Sequence, residues 1–418
     1  ATDRLVMDWT RFNIAANEAV RFQQPSAASI ALNRVSGWSP SVIDGRLSAN
    51  GQIFLINPGG ILFGAGSRVD VGALTASTLN ITNQDFLSGK YRFTQDANAA
   101  NAAVLNQGLI TTGPGGYVAL LGAAARNEGV IQANLGSVVL GAAKAATLDM
   151  RGDGLIGFVV TEAVSGAVMG PDGQPLASFV SNSGAIQADG GLVTLSANAA
   201  GDVIASAVNH TGLIQAHTVE ERHGRIFLSG GEQGTVEVSG TLDASGHRSP
   251  SPLEGEGAGE GGLKGGTVEV TGRHVGLFGG HINASGDAGG GTVLVGGDYQ
   301  GKNPDVPNAR ATFVGPDAVI DAGATESGDG GKVIVWSDEV TRVHGSISAR
   351  GGPQGGDGGF VETSSRNQLD VTGLRLDLTA TKGQGGTWLI DPLSVTISNA
   401  ATSNDSFAAG TFTPTATG

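Results

Sequence analysis

Hydrophobic positions in this chain fall in short runs cut by turn residues. Within residues 33–81, the apolar runs Gln52–Ile56, Ile61–Phe63 and 69–71 are separated by Ala-Asn-Gly, Asn-Pro-Gly-Gly and Gly-Ala-Gly. Each run is β-branched or aromatic and too short for a helix, which predicts strands. Asn50-Gly51 and Gly59-Gly60 are expected to supply positive φ, with Pro58 fixing its own φ between the strands it links. Upstream, residues 4–9 and 19–23 are strand candidates flanking Phe12-Asn13-Ile14, and Pro25-Ser26-Ala27 is a turn.

From about residue 104 the pattern becomes a repeat: Asn/Ser-x-Gly-x-Ile-x-Ala followed by Gly-Gly-x-Val-x-Leu. Copies begin at Asn106, Asn127, Asn182, Thr211, Ser239, Gly279, Ala318, His344 and Leu376. The first spacing is about 21 residues and later ones are stretched by loops, a period that suits one coil of a parallel β-helix. Inward Val, Ile, Leu and Ala would stack from coil to coil, with glycine pairs at corners where no side chain fits or positive φ is needed. The repeat is interrupted at 147–180, at a Pro/Gly/Glu-rich stretch (246–263) expected to be a disordered insertion, and at an Ala/Thr/Ser-rich tail (399–418).

Composition narrows the picture. The 418 residues include 70 glycines, 5% aromatics and 15% charged residues. Glycine lacks a collagen period, and 39% hydrophobic content is too high for a disordered chain. A net charge of −14 argues against nucleic acid and anionic membranes as partners. With no cysteine there is no disulfide framework, thiol nucleophile or Cys-type zinc site. No apolar run approaches transmembrane length.

The ordered set Asn33-Arg34-Val35, Ser41-x-Ile43-x-Gly45, Ala49-Asn50-Gly51, Leu55-Ile56-Asn57-Pro58-Gly59-Gly60-Ile61, Phe63-Gly64, Val69-x-Val71-Gly72 and Leu74-x-Ala76-Ser77-Thr78 carries a resemblance. It resembles the amino-terminal secretion domain of two-partner secretion exoproteins, the filamentous haemagglutinin and high-molecular-weight adhesin family of Gram-negative bacteria. Such proteins usually have Asn-Pro-Asn-Gly-Ile where this chain has Asn-Pro-Gly-Gly-Ile, and Gly59 is expected to tolerate the left-handed conformation an Asn would adopt. Asp8-Trp9, Phe12-Asn13-Ile14, Thr147–Ile156 (residues 147–156) and residues 386–392 extend the resemblance.

The resemblance implies an all-β, right-handed parallel β-helix with extra-helical loops. It divides the chain into a secretion domain (1–103), continuing repeats (104–398) and a tail (399–418). It further implies periplasmic transit and export through an outer-membrane β-barrel transporter whose periplasmic domains recognise the chain. The expected location is the medium or the bacterial surface, with a host-cell, bacterial or matrix receptor as the candidate partner. The expected role is that of an adhesin, with the stalk of a contact-dependent toxin or a polysaccharide-active β-helix enzyme as alternatives. The chain is expected to be a trimmed or processed form that continues past Gly418 in the natural protein.

The residues expected to serve transporter recognition are Asn33, Asn50, Gly51, Asn57, Pro58, Gly59, Gly60 and Ile61. Arg151-Gly152-Asp153 matches an adhesion-type tripeptide, but so short a match is more simply a Gly-Asp turn preceded by Arg by chance. The Gly/Asp runs at 285–290 and 355–359 lack the nine-residue period of calcium repeats. His217 and His223 have the wrong spacing for His-Glu-x-x-His zinc chemistry and read as an exposed loop. Asn80, Asn209 and Asn283 begin glycosylation-type sequons. No catalytic cluster, metal site or cofactor motif emerges, and the chain is not expected to be an enzyme.

Overall fold

The computed structural model describes residues 3–150, 155–169, 174–200, 206–220, 222–247, 262–391, 405–408 and 411–414. Among these residues the chain winds as a parallel β-helix, as its alternation and glycine turns predict, with the right hand that the resemblance implies. Each coil lays one short strand on each of three long sheets. The first sheet has 13 strands, from Arg4–Trp9 and Ile30–Val35 to Thr387–Leu389; the second has 11, from Ser41–Ile43 to Gln368–Asp370; the third has 12, from Ala19–Phe22 to Arg375–Asp377.

Register is held by burial. Ile53 pairs with Leu74, Leu74 with Val118, Val118 with Val138 and Val138 with Val193, and all five side chains point into the tube and are buried. A one-residue slip would turn this whole column outward, losing about 2 kcal/mol per Val or Leu side chain. The corner between the second and third sheets has no room for a Cβ. One added to Gly129 would lie 2.2 Å from the Gly108 carbonyl oxygen, and the same contact recurs up the column at Gly184, Gly212 and Gly240.

Beside that glycine column runs a buried polar ladder. Asn106 Nδ2 donates to Asn127 Oδ1 (2.8 Å), and Asn127 Nδ2 donates to Asn182 Oδ1 (2.7 Å). Asn182 Nδ2 lies 3.2 Å from His210 Nδ1, whose Nε2 lies 3.0 Å from the Thr241 carbonyl oxygen. All four side chains are buried, and burial pushes the His210 imidazole down to about 4. With Nδ1 accepting from Asn182, the neutral ring donates through Nε2. The Asn-x-Gly of the repeat is therefore two ladders in one motif, amides inside and glycines at the corner.

Two coverings sit outside the first sheet. The helix Asn83–Leu87 and the antiparallel strands Tyr91–Thr94, Ala145–Met150 and Ile156–Glu162 close over its early coils. Phe86, Tyr91, Phe93 and Leu148 pack there on Phe54, Ile56 and Leu121 in a core separate from the tube. The sequence offered a cue for this helix that the strand reading passed over: Thr82 accepts from Asp85 N at 3.0 Å, a three-residue N-cap spacing. Farther along, Val306 packs on Leu294, Ile334 and Trp336. Residues 248–261 of the insertion, Arg151-Gly152-Asp153 and most of 399–418 lie outside the described residues; within the tail, Asp405–Ala408 pairs antiparallel with Thr411–Pro414.

Candidate secretion-signal region

The turn after Gln52–Ile56 is built by Asn57. Its Oδ1 accepts from Gly59 N (2.9 Å), and its Nδ2 donates to the Ser39 carbonyl (3.0 Å) and to Ser41 Oγ (2.9 Å). Gly60 N donates to the Asn57 carbonyl (3.0 Å) across Pro58 and Gly59, closing the turn. One buried amide thus shapes the turn and fastens the preceding 36–40 loop to it. Ile61 is buried beyond the turn, between Ser41 and Val104 in the second sheet.

The glycines depart from expectation. Positive φ occurs at Gly60 (116°), whereas Gly59, Asn50 and Gly51 are outside the left-handed region. What requires glycine at 59 is close approach: a Cβ there would lie 2.3 Å from the Trp38 carbonyl oxygen. Gly51 is confined in the same way, 2.6 Å from the Ser29 carbonyl oxygen. Beside it, Asn50 exchanges two hydrogen bonds with the Gln24 backbone (2.8 and 2.9 Å), and Gly51 N donates to Gln24 Oε1 (3.1 Å). These contacts tie the third-sheet corner of one coil to the coil before it.

Asn33 points into the tube. Its Nδ2 donates to the Ala31 and Phe54 carbonyls (3.2 and 3.3 Å), and its Oδ1 accepts from Trp9 Nε1 (3.1 Å). Its neighbour Arg34 points out, donating to Asn80 Oδ1 (3.1 Å) and the Ile81 carbonyl (2.7 Å) and pairing with Asp8 (3.2 Å). Arg34 thereby anchors the start of the outer covering to the first coils. Trp38 is 62% exposed on the loop held by Asn57.

The expected recognition residues therefore lie along the first coils without converging on a pocket, and Asn33, Asn57, Gly51, Gly60 and Ile61 are buried. Among the described residues no cluster of three or more His, Asp or Glu could hold a metal ion, and no helix is long and apolar enough to cross a membrane.

The histidine region departs from the exposed-loop expectation. His223 is exposed, but His217 is half-buried across three coils, with Nδ1 at 2.9 Å from Asp189 Oδ1 and Nε2 at 3.2 Å from Asp243 Oδ2. Hydrogen bonds to Asp189 and then Asp243 push His217 up to about 10. Burial alone would raise both carboxyls, but the bonds from His217 hold them below the usual carboxylate range. Sequence spacing could not show this, because the three residues meet only when their coils stack.

Comparison with known proteins agrees with this architecture. The TPS secretion domain family model matches residues 1–244. The crystal structure of the HMW1 secretion domain from Haemophilus influenzae superposes with a TM-score of 0.75 at 31% identity, covering 93% of each chain. Two heme/hemopexin-binding proteins of Haemophilus influenzae are similar in sequence. One is 35% identical over 108 residues (26% of this chain, 11% of that protein), and the other 43% identical over 75 residues (18% and 8%). The chain thus aligns with about a tenth of the length of these curated relatives. Proteins with this domain are exoproteins exported across the outer membrane by a partner transporter. The protein belongs to the TPS secretion domain family and is a secretion domain of a two-partner secretion exoprotein.

Proposed function

We propose that residues 1–103 carry the address read by the partner transporter's periplasmic domains, and that Asn33, Asn50, Gly51 and Asn57–Ile61 (57–61) contribute to it while the chain is unfolded. Burial carries this reading. Side chains as enclosed as Asn33, Asn57 and Ile61 offer nothing to a partner once the coils have closed. Reading and folding then compete for the same groups. Folding at the far side withdraws the address and disfavours return, and a fold in which each coil contacts its neighbours can proceed coil by coil. The coils described beyond residue 104 stack on these and would propagate the fold through the proposed repeat region, 104–398. We further propose a surface-attachment role, that of an adhesin, for the exported protein.

The test is secretion by cells with and without the cognate transporter, using the chain preceded by an export leader. Protein in the medium only with the transporter, abolished by deleting 33–81, is the expected result. Unimpaired secretion of the deletion would refute the address. A companion measurement compares transporter periplasmic domains against denatured and folded protein. Binding to the folded form as tight as to the unfolded one would refute the competition.

A further inference from the structure

On the outer face of the second sheet, a cleft of about 290 Å³ opens between Phe278, Phe313, His274 and Arg342. Its floor is aromatic. The Phe278 and Phe313 ring centroids are 5.4 Å apart with planes 38° from parallel, and Phe278 is 53% exposed. Glycine makes the shelf: a Cβ on Gly276 would lie 2.4 Å from the Phe278 ring, so only a bare backbone lets that ring lie flat over the strand. His344 meets the Phe313 ring at 5.8 Å in an edge contact and is itself fixed through Nδ1 to the Thr372 carbonyl (2.7 Å).

Arg342 gives the cleft its polarity. Arg34, Arg92, Arg126, Arg310, Arg350 and Arg366 each pair with a carboxylate, whereas Arg342 makes no hydrogen bond or salt bridge among the described residues. Its register neighbour Asp370 accepts from Thr372 N (3.0 Å), and that bond first, with the nearby Arg342 charge behind it, holds its carboxyl below the usual carboxylate range without forming an ion pair. On the other side of Gly276 in the same column stands Glu237. A guanidinium without a bidentate partner beside the exposed Phe278 ring and the half-buried Phe313 ring suits a ligand with a flat apolar face and an attached carboxylate.

We propose that this cleft binds an acidic sugar unit of a polysaccharide, a uronic-acid pyranose packing its C–H face on Phe278 and Phe313 and its carboxylate against Arg342. The cleft is shallow and open along the sheet, so a chain can run past it, and a net charge of −14 leaves short-range contact rather than long-range attraction to select the anion. This site deepens the surface-attachment reading and rests on it for its biological use.

The test is calorimetric or saturation-transfer binding of the purified protein to tetragalacturonate, with neutral maltotetraose as comparison. Tetragalacturonate is expected to bind at least tenfold more tightly. Phe278→Ala should weaken both ligands about tenfold. Arg342→Gln should erase the preference and leave the residual affinity for the neutral sugar. Both residues are on the surface, and circular dichroism checks that the fold is retained. Absence of saturable binding, equal binding of the two ligands, or affinities unmoved by both substitutions would overturn the site. Wild-type protein that attaches to cells while binding no oligosaccharide would remove this cleft and leave the attachment reading in place.

Discussion

Replacing Asn127 by valine breaks the amide ladder in its middle. Asn106 Nδ2 loses its 2.8 Å acceptor, and Asn182 Oδ1 loses its 2.7 Å donor, both fully enclosed. Each buried group left unsatisfied costs about 1–3 kcal/mol, so the single substitution should cost about 3 kcal/mol. The shape of valine is not the difficulty. Val238 and Leu277 occupy the same stacking position in later coils, reached from His210 by successive register pairs. Replacing Asn127, Asn182 and His210 together removes the inner donors with their acceptors and leaves only the two ends of the ladder without their partner, Asn106 Nδ2 and the Thr241 carbonyl, as many groups as the single substitution. The triple variant should cost no more than the single one, about 1–3 kcal/mol. Urea unfolding followed by amide exchange of the flanking coils reads both, with protection expected to fall around residues 106–215 and to hold at 311–343. A triple variant whose loss equals the sum of three single losses would refute the ladder as a cooperative unit.

The two histidines should respond to pH with opposite signs. His217 is raised from about 6.5 to about 10. Its contribution is therefore full below pH 6.5 and lost as pH climbs toward 10, while protonation of Asp189 and Asp243 removes it at the acid end. The half-exposed staple is worth about 1–2 kcal/mol after solvent screening, and His217→Gln should flatten the alkaline limb of midpoint against pH; an unchanged limb would count against it. His210, held down at about 4, disfavours the folded state as pH falls from 6.5, and His210→Val should lessen that loss. Asn57→Ala removes three hydrogen bonds from the turn and its loop, costing about 2–3 kcal/mol, which limited proteolysis at residues 36–40 would register as earlier cleavage. Gly59→Asn restores the family's usual residue but drives a Cβ into the Trp38 carbonyl. It should cost about 1–2 kcal/mol and alter Trp38 emission; a variant of unchanged stability and emission would show that the loop yields freely.

The sequence alone determined the coil. Period-two alternation in short runs, glycine at fixed offsets and the spacing of Asn106 and Asn127 leave few folds other than a stack of short parallel strands, because each run is too short to bury its apolar face alone. The ordered motif through residues 33–81 carried the family. Local geometry was less legible. Glycine at 51 and 59 reads as conformational freedom, yet both are glycine because another coil's carbonyl lies where a Cβ would be. Asn33 and Asn57 read as residues for transporter recognition, and nothing local showed that folding encloses them. The amide ladder, the Asp189–His217–Asp243 staple, the outer covering held by Arg34 and the Phe278–Phe313 shelf were all decided by tertiary structure. The physical reason is shared: the partners are separated along the chain by whole coils and by insertions of unequal length, so which residues become neighbours depends on how those coils stack.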